Sequence, residues 1–155
     1  MTHAAIGKTL PQFKAQSTQG EISPATLLGR PAVLYFYPKD NTPGCTAEAQ
    51  DFRDKHADFL GAKCQVIGIS RDSMKSHENF SEKQSLSFPL VSDDDETLCQ
   101  LFNVIKMKNM YGKQVRGIER STFLIDAHGV LLQEWRGLRV PGHVNEVLQA
   151  VRQIA

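Results

Sequence analysis

The chain has 155 residues with a formal net charge of +1, 41% hydrophobic and 23% charged residues. That is ordinary for one globular domain, which at this length buries enough surface to need no disulfide or metal staple. No clustered basic surface or polybasic tail is evident, which argues against nucleic-acid binding. The apolar run Ala32–Tyr37 is far too short to span a bilayer, and Met1–Thr9 carries no apolar stretch, so no secretory leader is expected. Three cysteines form no disulfide framework and no CxxC pair, which points to reduced thiols in the cytoplasm.

In chain order, Phe13–Ser17 and Glu21–Ser23 flank Thr18-Gln19-Gly20 and predict a small N-terminal hairpin. Ser23-Pro24 reads as a cap followed by proline at the first helical position, opening a short helix that stops at Gly29. Ala32–Tyr37 is continuous and β-prone, the pattern of a strand covered on both faces. A loop, Pro38–Gly44, follows. From about Cys45, Ala49, Phe52, His56 and Phe59 recur at helical spacing, with Glu48 placed in the first turn. Cys64–Ser70 predicts a second buried strand, Ser73–Lys83 a helix and Phe88–Val91 a short strand.

Ser92 and Asp93–Glu96 then open a helix with Leu98, Leu101, Phe102 and Ile105 as its buried stripe. Lys106, Lys108, Lys113 and Arg116 read as a solvated basic loop. Ser121–Asp126 and Val130–Arg136 are strands joined at Ala127-His128-Gly129. Val144, Val147, Leu148, Val151 and Ile154 mark one face of a final helix. The order predicts an α/β fold, a central mixed sheet flanked by helices with an N-terminal hairpin, in one domain over residues 1–155.

The chemistry concentrates in Tyr37-Pro38-Lys39-Asp40-Asn41-Thr42-Pro43-Gly44-Cys45-Thr46-Ala47-Glu48. A cysteine attacks as its thiolate, and a helix N-terminus or a nearby cation favours that form. Cys45 sits at such a helix start, where unpaired N–H groups favour negative charge. Thr42, three residues earlier in the same tight loop, can point its hydroxyl into the same pocket as a donor to developing charge. Pro38 is apolar and rigid and can shield the sulfur from water. Thr42 can equally be a plain helix cap, Arg120 a surface ion-pair partner of Glu119 or another acid, and Glu48 a first-turn partner of the helix dipole.

This stretch resembles the peroxiredoxin family, and closely its bacterioferritin comigratory protein, or peroxiredoxin Q, branch. Pro38, Thr42 and Cys45 meet the family's P-x-x-x-T-x-x-C pattern, and Tyr37 to Glu48 meets the branch's longer block at every fixed position. The likeness extends to Ile118–Asp126, where Arg120 matches a catalytic arginine placed just before a strand. It implies a thioredoxin-like fold and a thiol peroxidase. Cys45 would be the peroxidatic nucleophile, with Thr42, Arg120 and Pro38 in the catalytic set and Glu48 supporting by orienting Arg120. Hydrogen peroxide or an organic hydroperoxide would convert the sulfur to a sulfenic acid. Thioredoxin or another thiol reductant would reset it, with no metal or organic cofactor and with a monomer as the working form.

Two departures matter. Many members of the branch carry a resolving cysteine five residues after the attacking one, where this chain has Gln50. Others carry it in the helix after the second buried strand, where Ser81 is the nearest analogue. Cys99 and Cys64 remain. Both read as buried small hydrophobes, and either could resolve only after local unfolding, Cys99 being the better candidate. A one-cysteine cycle closed by an external thiol is therefore expected. A redox sensor or holdase would use the same oxidisable cysteine without multiple turnover. A cysteine–histidine hydrolase lacks a recognisable base: His56 reads as a boundary histidine, and His3, His77, His128 and His143 show no ligand spacing. Gly7-Lys8-Thr9 lacks the leading glycine and the strand of a phosphate loop.

Overall fold

In the computed structural model, which describes residues 3–154, strands β3 (Ala32–Phe36), β4 (Gln65–Ser70) and β5 (Leu90–Ser92) run parallel at the centre of a sheet. Around them lie β1 (Ala15–Ser17) and β2 (Gly20–Ile22) on one side, and β8 (Ser121–Ile125) and β9 (Leu131–Arg136) on the other. The seven strands are ordered β2-β1-β5-β4-β3-β8-β9, mixed in direction as expected. The helices are α1 (Pro24–Leu27), α2 (Pro43–Gly61), α3 (Met74–Gln84), α4 (Thr97–Leu101) and α5 (His143–Ile154).

All five residues of β3 and all five of β8 are buried, because both faces of the sheet are covered. One apolar layer holds Val33 and Tyr35 of β3 with Cys45 and Phe52 of α2, Phe80 of α3 and Val147 of α5. The other holds Leu34 and Phe36 with Leu27 of α1 and Leu98 and Cys99 of α4. Alternation along a strand sends neighbours to opposite faces, and the elements that cover those faces divide the three cysteines: Cys45 and Cys64 lie in one layer and Cys99 in the other.

Three expectations are corrected. The basic segment is no loop: β6 (Ile105–Met110) and β7 (Lys113–Ile118) form a separate antiparallel hairpin, turned by Tyr111 and Gly112 at positive φ. Helix α4 is only five residues long and does not reach Ile105, which opens β6 instead. Asn103 takes a left-handed φ of 54° just past that helix, as a residue that ends a helix does. Ile154 is 40% exposed, so the stripe of α5 closes at Val151.

The topology fixes where chemistry can happen. Helix α2 begins where β3 ends, and β8 pairs antiparallel with β3 in a register that sets Phe36 opposite Ser121. The loop after β3 and the residue before β8 therefore share one end of the sheet. No helix among the described residues is long and apolar enough to cross a membrane.

Candidate functional site

Helix α2 starts at Pro43, two residues earlier than predicted, with Thr42 as the N-cap and proline in the first turn. Proline suits that position because its missing N–H is not needed there. No side chain among the described residues caps this end of the helix, so backbone N–H groups of the first turn stay available beside Cys45. The earlier start also moves Glu48 out of the first turn. It is fully buried, which excludes the solvent-facing dipole role.

Arg120, in the link between β7 and β8, bridges Cys45 and Glu48 of α2. Its Nη1 donates to Glu48 Oε1 at 2.6 Å and its Nη2 donates to Cys45 Sγ at 3.4 Å. Its side chain keeps 17% of its exposure, so the guanidinium stays reachable from solvent. Burial alone would lower the Arg120 pKa, but the Glu48 and Cys45 charges outweigh it and hold the group above its ordinary value. Arg120 is thus paired with Glu48 and Cys45, and Glu119 is not its partner.

Burial pushes the Glu48 carboxyl up to about 7; Arg120 pulls it down and Asp51 pushes it further up. Glu48 Oε2 has no hydrogen-bond partner among the described residues. Tyr35 lies in the same apolar layer, and burial followed by the Glu48 and Cys45 charges drives its phenol well above the ordinary range.

Cys45 is 1% exposed. Thr42 is half-buried, and its hydroxyl donates to the Lys39 carbonyl at 2.8 Å. This refines two expectations: Thr42 occupies the cap position without a capping hydrogen bond, and its proton is already committed. Its oxygen is left to accept a hydrogen bond, where the sequence suggested a donor. Pro38 is half-buried at the mouth of the same loop.

Beneath that loop lies a polar network that the sequence did not reveal. Asp40 is 4% exposed and accepts from Tyr37 Oη at 2.6 Å and from Ser76 Oγ at 2.8 Å. His77 Nδ1 lies 2.7 Å from Asp40 Oδ2, and His77 Nε2 lies 2.8 Å from the Val91 carbonyl. Both ring nitrogens face acceptor oxygens, which fixes the ring between the Asp40 carboxylate and the Val91 carbonyl. Burial opposes an ionised Asp40, yet hydrogen bonds from His77 and Tyr37 keep it below the usual carboxylate range. Asp40, Asp72 and His77 offer ligand atoms within 4.8 Å of one another. A metal there would have to break the contacts of His77 with Asp40 or with the Val91 carbonyl.

The hairpin adds a second cation. Lys108 on β6 donates to the Ile118 carbonyl. Burial and the Arg120 charge lower its pKa, and the Cys45 charge partly offsets them. The alternation in Ile105-Lys106-Met107-Lys108 was the strand signal that could have found it. Arg116, on the other face of the hairpin, pairs with Glu96, and Arg71 Nη1 donates to Glu96 Oε2 at 3.0 Å.

The remaining thiols are fully buried. Burial pushes Cys64 up to about 12, and burial with the Asp93 interaction drives Cys99 higher still. Gln50 Nε2 donates to Gln84 Oε1 at 2.9 Å and ties α2 to α3. His56 is the expected boundary histidine, its Nδ1 at 2.5 Å from Ser87 Oγ. His143 Nε2 meets Thr122 Oγ1 at 2.8 Å, and burial lowers its imidazole to about 4.

Comparison with known proteins bears on this arrangement. The profile of the AhpC/TSA family matches residues 6–133. Peroxiredoxin Bcp of Xanthomonas campestris is 58% identical over 120 residues, which cover 77% of this chain and 75% of that protein. Peroxiredoxin Bcp of Bacillus subtilis is 46% identical over 151 residues, covering 97% and 96%. A solved structure bearing on the alkyl peroxide reduction activity of the Xanthomonas campestris bacterioferritin comigratory protein superposes with a TM-score of 0.86 at 50% identity. It covers 91% of this chain and 90% of that one.

Proposed function

The chain belongs to the AhpC/TSA family and is a peroxiredoxin, a thiol peroxidase, and from that premise we propose that Cys45 is the attacking thiolate. The observation that carries this reading is Arg120, whose guanidinium donates at once to Cys45 Sγ and Glu48 Oε1. Its fixed fork stabilises the sulfur anion and offers donors to a peroxide above it. Glu48 sets the angle of that fork from below. Thr42 accepts a hydrogen bond from the hydroxyl end of the peroxide, because its own proton goes to the Lys39 carbonyl. With the O–O bond in line, the sulfur displaces the far oxygen, whose growing charge meets Arg120 and the free N–H groups at the start of α2. Pro38 limits water at the sulfur.

The substrates are hydrogen peroxide and organic hydroperoxides. The alkyl peroxide reduction activity of the Xanthomonas campestris relative favours including the latter. The cycle is of the one-cysteine kind, and an external thiol, thioredoxin or another reductant, attacks the sulfenic acid. The partition of the thiols supports this: Cys99 lies across the sheet from Cys45 and is fully buried. We read residues 1–155 as one domain acting as a cytoplasmic monomer, without nucleic-acid or membrane partners, and needing no cofactor.

Intact mass spectrometry after one equivalent of hydrogen peroxide tests the reading on the wild type and Cys99→Ser. A sulfenic or thiol-trapped adduct at Cys45 in both supports the one-cysteine cycle. An internal disulfide in the wild type alone makes Cys99 the resolving thiol and overturns that part.

A further inference from the structure

We propose that Glu48 holds the proton that Cys45 has given up in the reduced enzyme, and releases it when the sulfur is oxidised. This rests on the reading of Cys45 as the attacking thiolate.

The geometry leads to it. One guanidinium stands between two acids, at 2.6 Å from Glu48 and 3.4 Å from Cys45. Glu48 is 0% exposed and Cys45 is 1% exposed. Arg120 is the one cation that contacts both anions, and Lys108 is partly exposed and hydrogen-bonded to the Ile118 carbonyl, so most of the second buried charge is left uncompensated, which a low-dielectric interior penalises heavily. One proton between the two acids removes that charge. A thiolate that attacks cannot carry the proton, so Glu48 does.

The bare oxygen of Glu48 agrees. Oε2 has no hydrogen-bond partner among the described residues. An ionised carboxylate with an unsatisfied buried oxygen is far costlier than a neutral acid in the same place.

The groups that bear on Glu48 come from several elements. On α2 itself are Cys45 and Asp51, the latter pushing toward the protonated form. Tyr35 on β3 is neutral, its phenol held far above the ordinary range. Arg120 precedes β8 and is the only one of these hydrogen-bonded to Glu48 among the described residues. Lys108 on β6 and His143 on α5 feel Arg120, and burial drives His143 down to about 4, so it adds no charge at neutral pH. The carboxyl sits at about 7 in this field, which lets a change in the neighbouring sulfur tip it.

Oxidation is that change. Cys45–S⁻, R–O–OH and Glu48–COOH become Cys45–S–OH, R–OH and Glu48–COO⁻. The S–O bond forms and the O–O bond breaks. The sulfur gives up an electron pair to the peroxide, and the proton lost by Glu48 balances the one gained by the leaving oxygen. Arg120 has one anionic partner before the step and one after it. The positive charge that held the thiolate then holds the carboxylate, and no net charge is buried or uncovered.

The test is an infrared difference spectrum of the full-length protein, reduced against peroxide-oxidised, in mildly acidic buffer, with mass spectrometry on the same sample. The expected result is loss of a protonated-carboxyl carbonyl band as Cys45 gains one oxygen, with that band absent in Glu48→Gln and present but shifted in Glu48→Asp. If Cys45 gains its oxygen in the wild type and no protonated carboxyl disappears, Glu48 is ionised throughout and the proposal fails while the peroxidase reading stands. If Cys45 gains no oxygen, both fail.

Discussion

A Cβ on Gly44 would lie 3.1 Å from Nη2 of Arg120, the same nitrogen that donates to Cys45 Sγ. Glycine in the first turn of α2 lets the guanidinium approach without being displaced. Its backbone is ordinary helix, since Gly44 is not among the residues at positive φ. Gly44→Ala should leave stability unchanged or raise it by about 0.5–1 kcal/mol through the lower entropy of the unfolded chain. Displacing the fork by a few tenths of an ångström should slow peroxide reduction about tenfold, ~1.4 kcal/mol in the barrier. Stopped-flow oxidation and urea denaturation of the same variant separate the two effects. A stable variant with the wild-type rate would mean that the fork's position is not critical.

Arg120→Lys keeps the charge and loses the fork. An ammonium is a point donor and cannot hold Cys45 and Glu48 in one plane. The rate with hydrogen peroxide should fall about 10²–10³-fold, as when one fixed donor to a transition state is removed. A rate within a factor of about three of wild type would show that charge alone suffices.

Two buried groups give stability opposite dependences on pH. Glu48 titrates near 7 in the fold against an ordinary 4.5. Between those values the folded chain holds a proton that the unfolded chain releases, so stability falls as pH rises. His143 titrates near 4 against an ordinary 6.5. There the unfolded chain binds the proton, so stability rises with pH. Each slope is at most ~1.4 kcal/mol per pH unit, and the two oppose each other where the windows overlap. Glu48→Gln removes the falling slope. Its urea midpoint should climb more steeply across the overlap than that of the wild type. An identical profile for the two would exclude a raised Glu48.

How far the sequence foretold this site varies with the element. Strand β3 was legible because its apolar run is unbroken, and the start of α2 because Thr42-Pro43-Gly44 punctuates it. Arg120 could be placed because Ile118–Asp126 resembles the family segment that carries an arginine just before a strand. The hairpin β6–β7 was missed because its alternating segment, Ile105–Lys108, is short and Met107, Met110 and Val115 are exposed, so no long apolar face backs the signal. Helix α4 was drawn too long because the helical spacing of Leu98, Leu101 and Phe102 concealed the stop at Asn103. Glu48 was assigned to the first turn from a late helix start. The pairing of Asp40 with His77 joins residues 37 apart, and no local pattern announces such a contact.

That pairing has a measurable consequence. His77→Ala leaves the buried Asp40 carboxylate without one of the partners that keep it ionised. Breaking a buried pair from one side typically costs about 3–5 kcal/mol. Denaturation should show a loss of that size, and Asp40→Asn combined with His77→Ala should recover part of it. A loss below ~1 kcal/mol would mean that the network contributes little to holding the loop that carries Thr42.

The most direct test of the account is the second-order rate constant for oxidation of Cys45 by hydrogen peroxide, followed by stopped flow beside free cysteine under the same conditions. The arrangement of Arg120, Thr42 and the start of α2 predicts a rate faster by at least about 10³-fold, the order supplied by fixed donors at a transition state, and abolished in Cys45→Ser. A Cys45 that reacts no faster than free cysteine would contradict it.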